Sequence, residues 1–397
     1  MPPLSFAEAR ALVIDKVRHS RRLPAVESVD LAAADGRVLA ADVEADRDYP
    51  PLDRSVRDGF AVRAADVPGT LTVVGEVRAG ERFSGVVKAG QAVEVMTGAP
   101  VPDGADAVVM VEHVRVAAGS VTVDQPVARG QNMSPRGGDA VTGGVVLRAG
   151  RLIGFPEVAV LATVGLSRVP VYRRPRVAVL ATGDEILDIE SKPLAHQIRD
   201  SNAWSLAVQV RRAGGEPVVL PTARDSAGET AHAIAAGLQA DLLLISGGVS
   251  AGKYDLVESV LAELGAEFYF DRVRVQPGQP LVFGRAQGTF FFGLPGNPAS
   301  TMVCFEVFAR AAVELLGGWA QPRLPLTEAA LTREFRHAPG LTRFLPAALS
   351  PDGSVVTPVA WSGSGDVMAL ARANAFLVAE PDKPVYAAGE RIRVLMR

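Results

Sequence analysis

Five short segments bring together the residue types that bind anions: "ATGDE" (181–185), "PTARD" (221–225), "SGGVSAGKYD" (246–255), "QPGQP" (276–280) and "LPGNP" (294–298). Their glycines let backbone N–H groups approach a ligand closely. Helices expected to begin after Ser250 and Asn297 would add favourable dipole ends. Asp184, Glu185, Asp225 and Asp255 place carboxylates on the same rim. Carboxylates repel a phosphate unless a cation lies between them. A hard cation with oxygen ligands, Mg²⁺, reconciles the two.

From Gly247 the chain runs G-x-x-x-x-G-K to Gly252 and Lys253, which is nearly a P-loop. The next residue should be Ser or Thr for Mg²⁺, but Tyr254 stands there, followed by Asp255. A nucleotide-hydrolysing loop also normally follows the first strand of its domain, whereas this one follows the third expected strand. The stretch therefore reads as a different anion site. A Gly-rich strand-to-helix turn without a ligand is the plainer alternative.

Alternating elements must position these segments. "RVAVLAT", "PVVLPT", "ADLLLISGG", "FYFDRVRV", "PLVFGRA" and "TFFFGLPG" read as strands, and four helical patterns, beginning near Asn202, Ser226, Tyr254 and Pro298, alternate with them. Asn202 is expected as a helix cap, one of the adjacent pair Asp184 and Glu185 as another, and Asp225 could cap the helix beginning near Ser226. The alternation implies a doubly wound, mainly parallel sheet over 174–322, with ligands beyond the carboxyl ends of its strands. Residues 49–140 are valine-rich runs punctuated by Gly, Pro and Asp, which implies a β-rich module. The tail, 323–397, reads as a small β-domain. Ser5 and Glu8 form a capping-box pattern ahead of an ordinary amphipathic helix.

With 397 residues the chain is too long for one core. A net charge of −3 gives no electrostatic case for nucleic acid. The single cysteine, Cys304, excludes an internal disulfide and is expected in the core. Five scattered histidines show no zinc spacing, so any metal is expected to be held by oxygen. Neither a leader-like apolar run at the start nor an 18-residue apolar span is visible, so a cytoplasmic protein without membrane contact is expected.

"ADGRVLAADV", "DRSVRDGFAVR", "VMTGAPVPDGADAVVMVE", "GGDAVTGG", "ATGDEI", "QIRDSNAW", "SGGVSAGKYD" and "LPGNPAS" occur in this order over nearly the whole chain. Together they resemble the molybdopterin molybdenumtransferase family of bacterial MoeA type, which includes the C-terminal E domain of gephyrin. The resemblance implies four domains: a discontinuous linker and dimerisation domain (1–48 and 141–173), a β-rich insertion (49–140), a molybdopterin-binding α/β domain (174–322) and a C-terminal β-barrel (323–397). It implies insertion of molybdate into adenylylated molybdopterin with release of AMP. It further implies a homodimer whose site lies between the α/β domain of one subunit and the β-rich domain of the other. Contacts with other cofactor-synthesis proteins are expected on the same basis.

Carried over residue by residue, the resemblance makes Asp58, Asp139, Glu185, Asp225 and Asp255 the catalytic acids. Glu185, Asp225 and Asp255 are the expected Mg²⁺ ligands. Substrate contacts fall to Thr97, Ser246, Gly247, Gly248, Ser250, Lys253, Arg272, Pro295, Gly296, Asn297, Pro298 and Ser364. The chain departs from the family at Arg57 and Phe60, where Met and Tyr are usual. It departs again at Gln276 and Gln279, where lysines are common, so charged contacts to an anion become neutral hydrogen bonds. That departure sustains a second expectation, a catalytically weakened member acting as a binding or scaffold protein. Steady nucleotide hydrolysis by the Lys253 loop is a third.

Overall fold

The computed structural model describes residues 2–20, 23–248 and 256–397. Its central layer is a six-stranded sheet in the order Glu216–Val219, Arg176–Ala181, Leu242–Ser246, Thr289–Leu294, Pro280–Ala286, Glu267–Arg272. The first four strands pair in parallel; the last two pairings are antiparallel. The sheet is thus mainly parallel, as expected, with its antiparallel pairings toward the Glu267–Arg272 edge, where Pro280–Ala286 and Thr289–Leu294 form a hairpin. That hairpin turns on Gln287 and Gly288, at φ 48° and 89°, the backbone that a two-residue turn of this hand requires.

Parallel strands covered on both faces read as continuous apolar runs. In "LLLIS" and "RVAVLA" alternate residues serve opposite cores. Val177, Val179, Leu242 and Leu244 join one cluster with Phe290 and Phe292. Ala178, Leu180, Leu243 and Ile245 join another with Phe291. Helices Asn202–Arg212 and Pro298–Cys304 cover the first face through Leu206, Val210 and Val303. Ala227–Gly237 and Leu256–Glu263 cover the second through Ile234, Val257 and Val260. Each such side chain contributes about 1.5–3 kcal/mol on burial. The helix expected from Pro298 onward is interrupted by a π turn at Phe305–Ala309 before resuming as Arg310–Leu316.

The N-terminal helix Phe6–Ser20 forms its capping box: Ser5 N donates to Glu8 Oε2 at 2.8 Å and Glu8 N to Ser5 Oγ at 3.3 Å. Its Ala9, Val13 and Val17 enter the same core as the α/β sheet, and Arg10 Nη1 donates to Val307 O at 2.7 Å. Further pieces pair across long sequence distances, Val26–Asp30 with Arg168–Tyr172 and Val43–Glu44 with Val145–Leu147. Between them lies a second six-stranded sheet, running from Ala107–Met110 through Gly59–Val62 to Val114–Ala117 at the far edge.

At the C-terminus five strands close into a barrel, because Thr342–Leu349 pairs with both Val355–Pro358 and Ala375–Ala379. The two-residue strand Val275–Gln276 leaves the α/β region and joins this barrel beside Thr342 and Arg343.

Candidate active site

The strand exits open into a cleft of about 980 Å³, the upper end of the range for small-molecule sites. It gathers much of the expected set: Glu185, Asp225, Ser246, Gly247, Gly248, Pro295, Gly296 and Asn297 all line it. A neighbouring trough of about 630 Å³ holds Asp184, Trp204 and Arg224, and shares Gly183, Ile186 and Asp200 with the cleft.

The strand Leu242–Ser246 ends at Gly247 and Gly248, at φ 94° and 65°. A Cβ at Gly247 would stand 2.7 Å from Thr182 O, and one at Gly248 would stand 2.6 Å from Val257 Cγ2. Only glycine lets this backbone pass so close to its neighbours and still turn toward a ligand. On the facing strand exit, Pro295 is buried while Gly296 and Asn297 are exposed. Asn297 then occupies the N-cap position and Pro298 the first helical residue.

Asn202 was expected as a helix cap and has another role. Asp200 caps instead, its Oδ1 accepting from Ala203 N at 2.9 Å. Asn202 Nδ2 donates to Ser246 Oγ at 2.8 Å and to Gly296 O at 2.7 Å, tying the two rim loops together. Its Oδ1 is buried without a partner among the described residues, as is Thr182 Oγ1 beside it in the cleft lining. Buried groups of this kind are normally hydrogen-bonded. Sequence reading missed them; the only available signal was an asparagine in the "DSN" that precedes a helix. Burial also raises the Asp200 carboxyl above its ordinary range, more than its amide bonds lower it.

Asp184 likewise does not cap a helix. The chain continues into the short strand Ile186–Leu187, and Asp184 Oδ1 accepts from Asp225 N at 3.2 Å. That bond fixes the loop bearing Asp225, while Ser226 Oγ performs the capping by accepting from Glu229 N. Glu185 and Asp225 are left facing one cleft. Mg²⁺ is commonly held by one or two carboxylates, waters and a substrate phosphate, and this pair fits that donor set. No group of three or more metal-competent side chains converges among the described residues. Ser250, Lys253 and Asp255 lie outside the described residues.

The remaining expected residues sit elsewhere in the chain. Asp58 and Thr97 form one unit: Asp58 Oδ1 accepts from Thr97 N at 2.6 Å and from Thr97 Oγ1 at 2.8 Å, which holds the carboxyl below its usual range. Asp139 Oδ2 lies 3.4 Å from Arg54 Nη2. None of these three lines the cleft of its own chain. Phe60 is buried in the β-rich core, and Arg57 is exposed. Arg272 ends the edge strand; Arg272, Arg274 and Gln276 are exposed in alternation with buried Val273 and Val275. Ser364 touches the site's helix through its backbone, its carbonyl accepting from Ala299 N at 2.9 Å.

Fold and cleft together define an α/β ligand-binding module set between a β-rich N-terminal half and a C-terminal barrel. Comparison with known proteins matches each part in turn: the MoeA N-terminal region (domain I and II) over residues 4–165, a probable molybdopterin binding domain over 178–315, and the MoeA C-terminal region (domain IV) over 328–396. The chain belongs to the MoeA family. It is 32% identical over 404 residues to a molybdopterin molybdenumtransferase of Staphylococcus aureus (strain MRSA252), covering 99% of this chain and 96% of the relative. It is 34% identical over 397 residues to the protein of that name from Bacillus subtilis (strain 168), covering 96% and 92%. A crystal structure of a molybdopterin biosynthesis MoeA protein from Pyrococcus horikoshii OT3 superposes with a TM-score of 0.83 at 28% identity, over 100% of both chains.

Proposed function

We propose that the chain acts in molybdenum cofactor biosynthesis as a molybdenum insertase, taking adenylylated molybdopterin and molybdate and releasing AMP. The observation that carries this reading is the cleft itself, where the Gly247 and Gly248 backbone and the Asn297 helix start face the carboxylates of Glu185 and Asp225. The glycine backbone and helix start receive the phosphate. Glu185 and Asp225, with Asp255, would hold Mg²⁺, and Lys253 and Ser250, which follow Gly248 in the sequence, bind the substrate. Bound there, Mg²⁺ supplies Lewis-acid polarisation of the phosphoanhydride.

Asp58, Thr97 and Asp139 act in the cleft of a second copy, so the working unit is a homodimer, placed in the cytoplasm. Among the described residues no helix is long and apolar enough to cross a membrane. Arg272 and Ser364 flank the cleft from the edge strand and the barrel side. A second reading, a binding or scaffold protein, draws on the exposed and neutral Gln276 and Gln279.

A single-turnover assay with adenylylated molybdopterin, Mg²⁺ and molybdate tests both. Molybdate-dependent AMP release that falls at least about tenfold in Glu185→Gln and Asp225→Asn, with pterin affinity retained, supports insertion. Tight pterin binding without AMP release in the wild type supports the scaffold. Unchanged release in both variants refutes the assignment of the acids.

A further inference from the structure

The helix Asn202–Arg212 starts at the cleft and ends at the opposite side of the sheet, about 16 Å away at ~1.5 Å per residue. At that far end a separate crevice of about 190 Å³ is lined by Arg37, Arg174, Arg211, Arg212 and Arg323, with Glu314 the one acid among its described lining residues. Arg37 comes from the N-terminal half, Arg174 from the link into the α/β sheet, and Arg211 and Arg212 from the helix end.

Most of the charge here is uncompensated. Glu314 is partly engaged: Oε2 accepts from Arg323 N at 2.7 Å, while Oε1 stands 3.6 Å from Arg310 Nη1 and has no hydrogen-bond partner among the described residues. Arg37 bonds Glu27 and Tyr172 O. The Arg323 guanidinium lies over the Trp319 ring at 4.2 Å. The side chains of Arg174, Arg211 and Arg212 have no hydrogen-bond or ionic partner among the described residues. The helix C-terminus offsets only about half a charge, and Arg174 is not on that helix. Solvation alone would keep an isolated surface arginine, but three exposed arginines at the lining of one concavity make its local field positive.

We propose that this crevice binds a multiply charged oxyanion of the phosphate class. Guanidinium forks match its geometry in bidentate fashion. The crevice lies below the roughly 300 Å³ at which pockets hold a whole organic ligand. It therefore takes a free phosphate or the terminal phosphates of a nucleotide whose base stays outside. Because its walls come from the N-terminal half and from the α/β region, the bound anion ties these two parts together.

The test is calorimetric titration of the full chain at low ionic strength with inorganic phosphate and with ADP. Both should bind the wild type. Arg174→Ala/Arg211→Ala, at exposed positions, should weaken binding by about tenfold for each guanidinium removed with unchanged thermal unfolding in the absence of anion. The cleft is itself assigned a phosphate, so the crevice is read as a second class of site, and Val219→Ala, in neither the cleft nor the crevice, should leave that class unaltered. Equal affinities for phosphate and ADP identify free phosphate, and tighter ADP identifies the nucleotide; both uphold the site. An unchanged number of bound anions in the double variant, a single class of site in the wild type, or loss of the crevice class in Val219→Ala alone would overturn it.

Discussion

Replacing Asn202 by alanine removes the two hydrogen bonds that join the rim loops, to Ser246 Oγ at 2.8 Å and to Gly296 O at 2.7 Å. At about 1 kcal/mol each, the loss is about 2 kcal/mol. If it appears wholly in ligand binding, pterin-nucleotide affinity falls roughly 30-fold. Asn202→Asp is the sharper perturbation. It keeps the size of the side chain but puts a carboxylate oxygen against the Gly296 carbonyl, acceptor facing acceptor, so it should weaken binding more than alanine does. The assay is direct titration with adenylylated molybdopterin, paired with urea unfolding to separate local from global loss. Wild-type affinity in both variants, or an aspartate variant that binds better than the alanine one, would refute the reasoning that Asn202 is a strut of the cleft.

Gly247→Ala forces a side chain to φ 94° with its Cβ 2.7 Å from Thr182 O, so urea unfolding should show a loss of about 1–3 kcal/mol at an unchanged slope. Asp58 has a depressed carboxyl in the folded state, chiefly from Thr97 N and then Thr97 Oγ1. Its contribution is therefore present above the ordinary carboxylate value of about 3.9 and lost as pH falls through the lower folded value. The thermal advantage of the wild type over Asp58→Asn should be constant near neutrality and vanish in stronger acid; an advantage that grows with acid would contradict this. Cys304 is fully buried, and burial pushes its thiol well up. Native protein should resist iodoacetamide, and labelling should appear only with global unfolding.

The strands were legible because parallel, doubly covered strands have to be apolar throughout, as "LLLIS" and "TFFFGL" are. The barrel was legible only as a β-rich tail, since its closure depends on Thr342–Leu349 pairing with strands on both sides. Glu185, Asp225 and the glycines were found from strand exits, where backbone geometry restricts residue type. Asn202 and Asp184 were misassigned for one shared reason. A polar residue ahead of a helix looks like a cap, but their partners lie 44 and 41 residues away, and nothing local encodes that. Asp58 and Thr97 were each identified separately, while their mutual bond became visible only once the sheet brought them together.

The strand Val275–Gln276 makes the link between barrel and sheet a seam rather than a tether. Val273 and Val275 are anchored in the α/β core, and Thr342 N donates to Arg274 O at 3.1 Å across the seam. Turning the barrel relative to the sheet would shear this stitch and carry Gln276 with it. Gln276 lies in this joint and Gln279 beside it: a change of charge there acts on how stiffly two parts of the molecule move together as well as on what they touch.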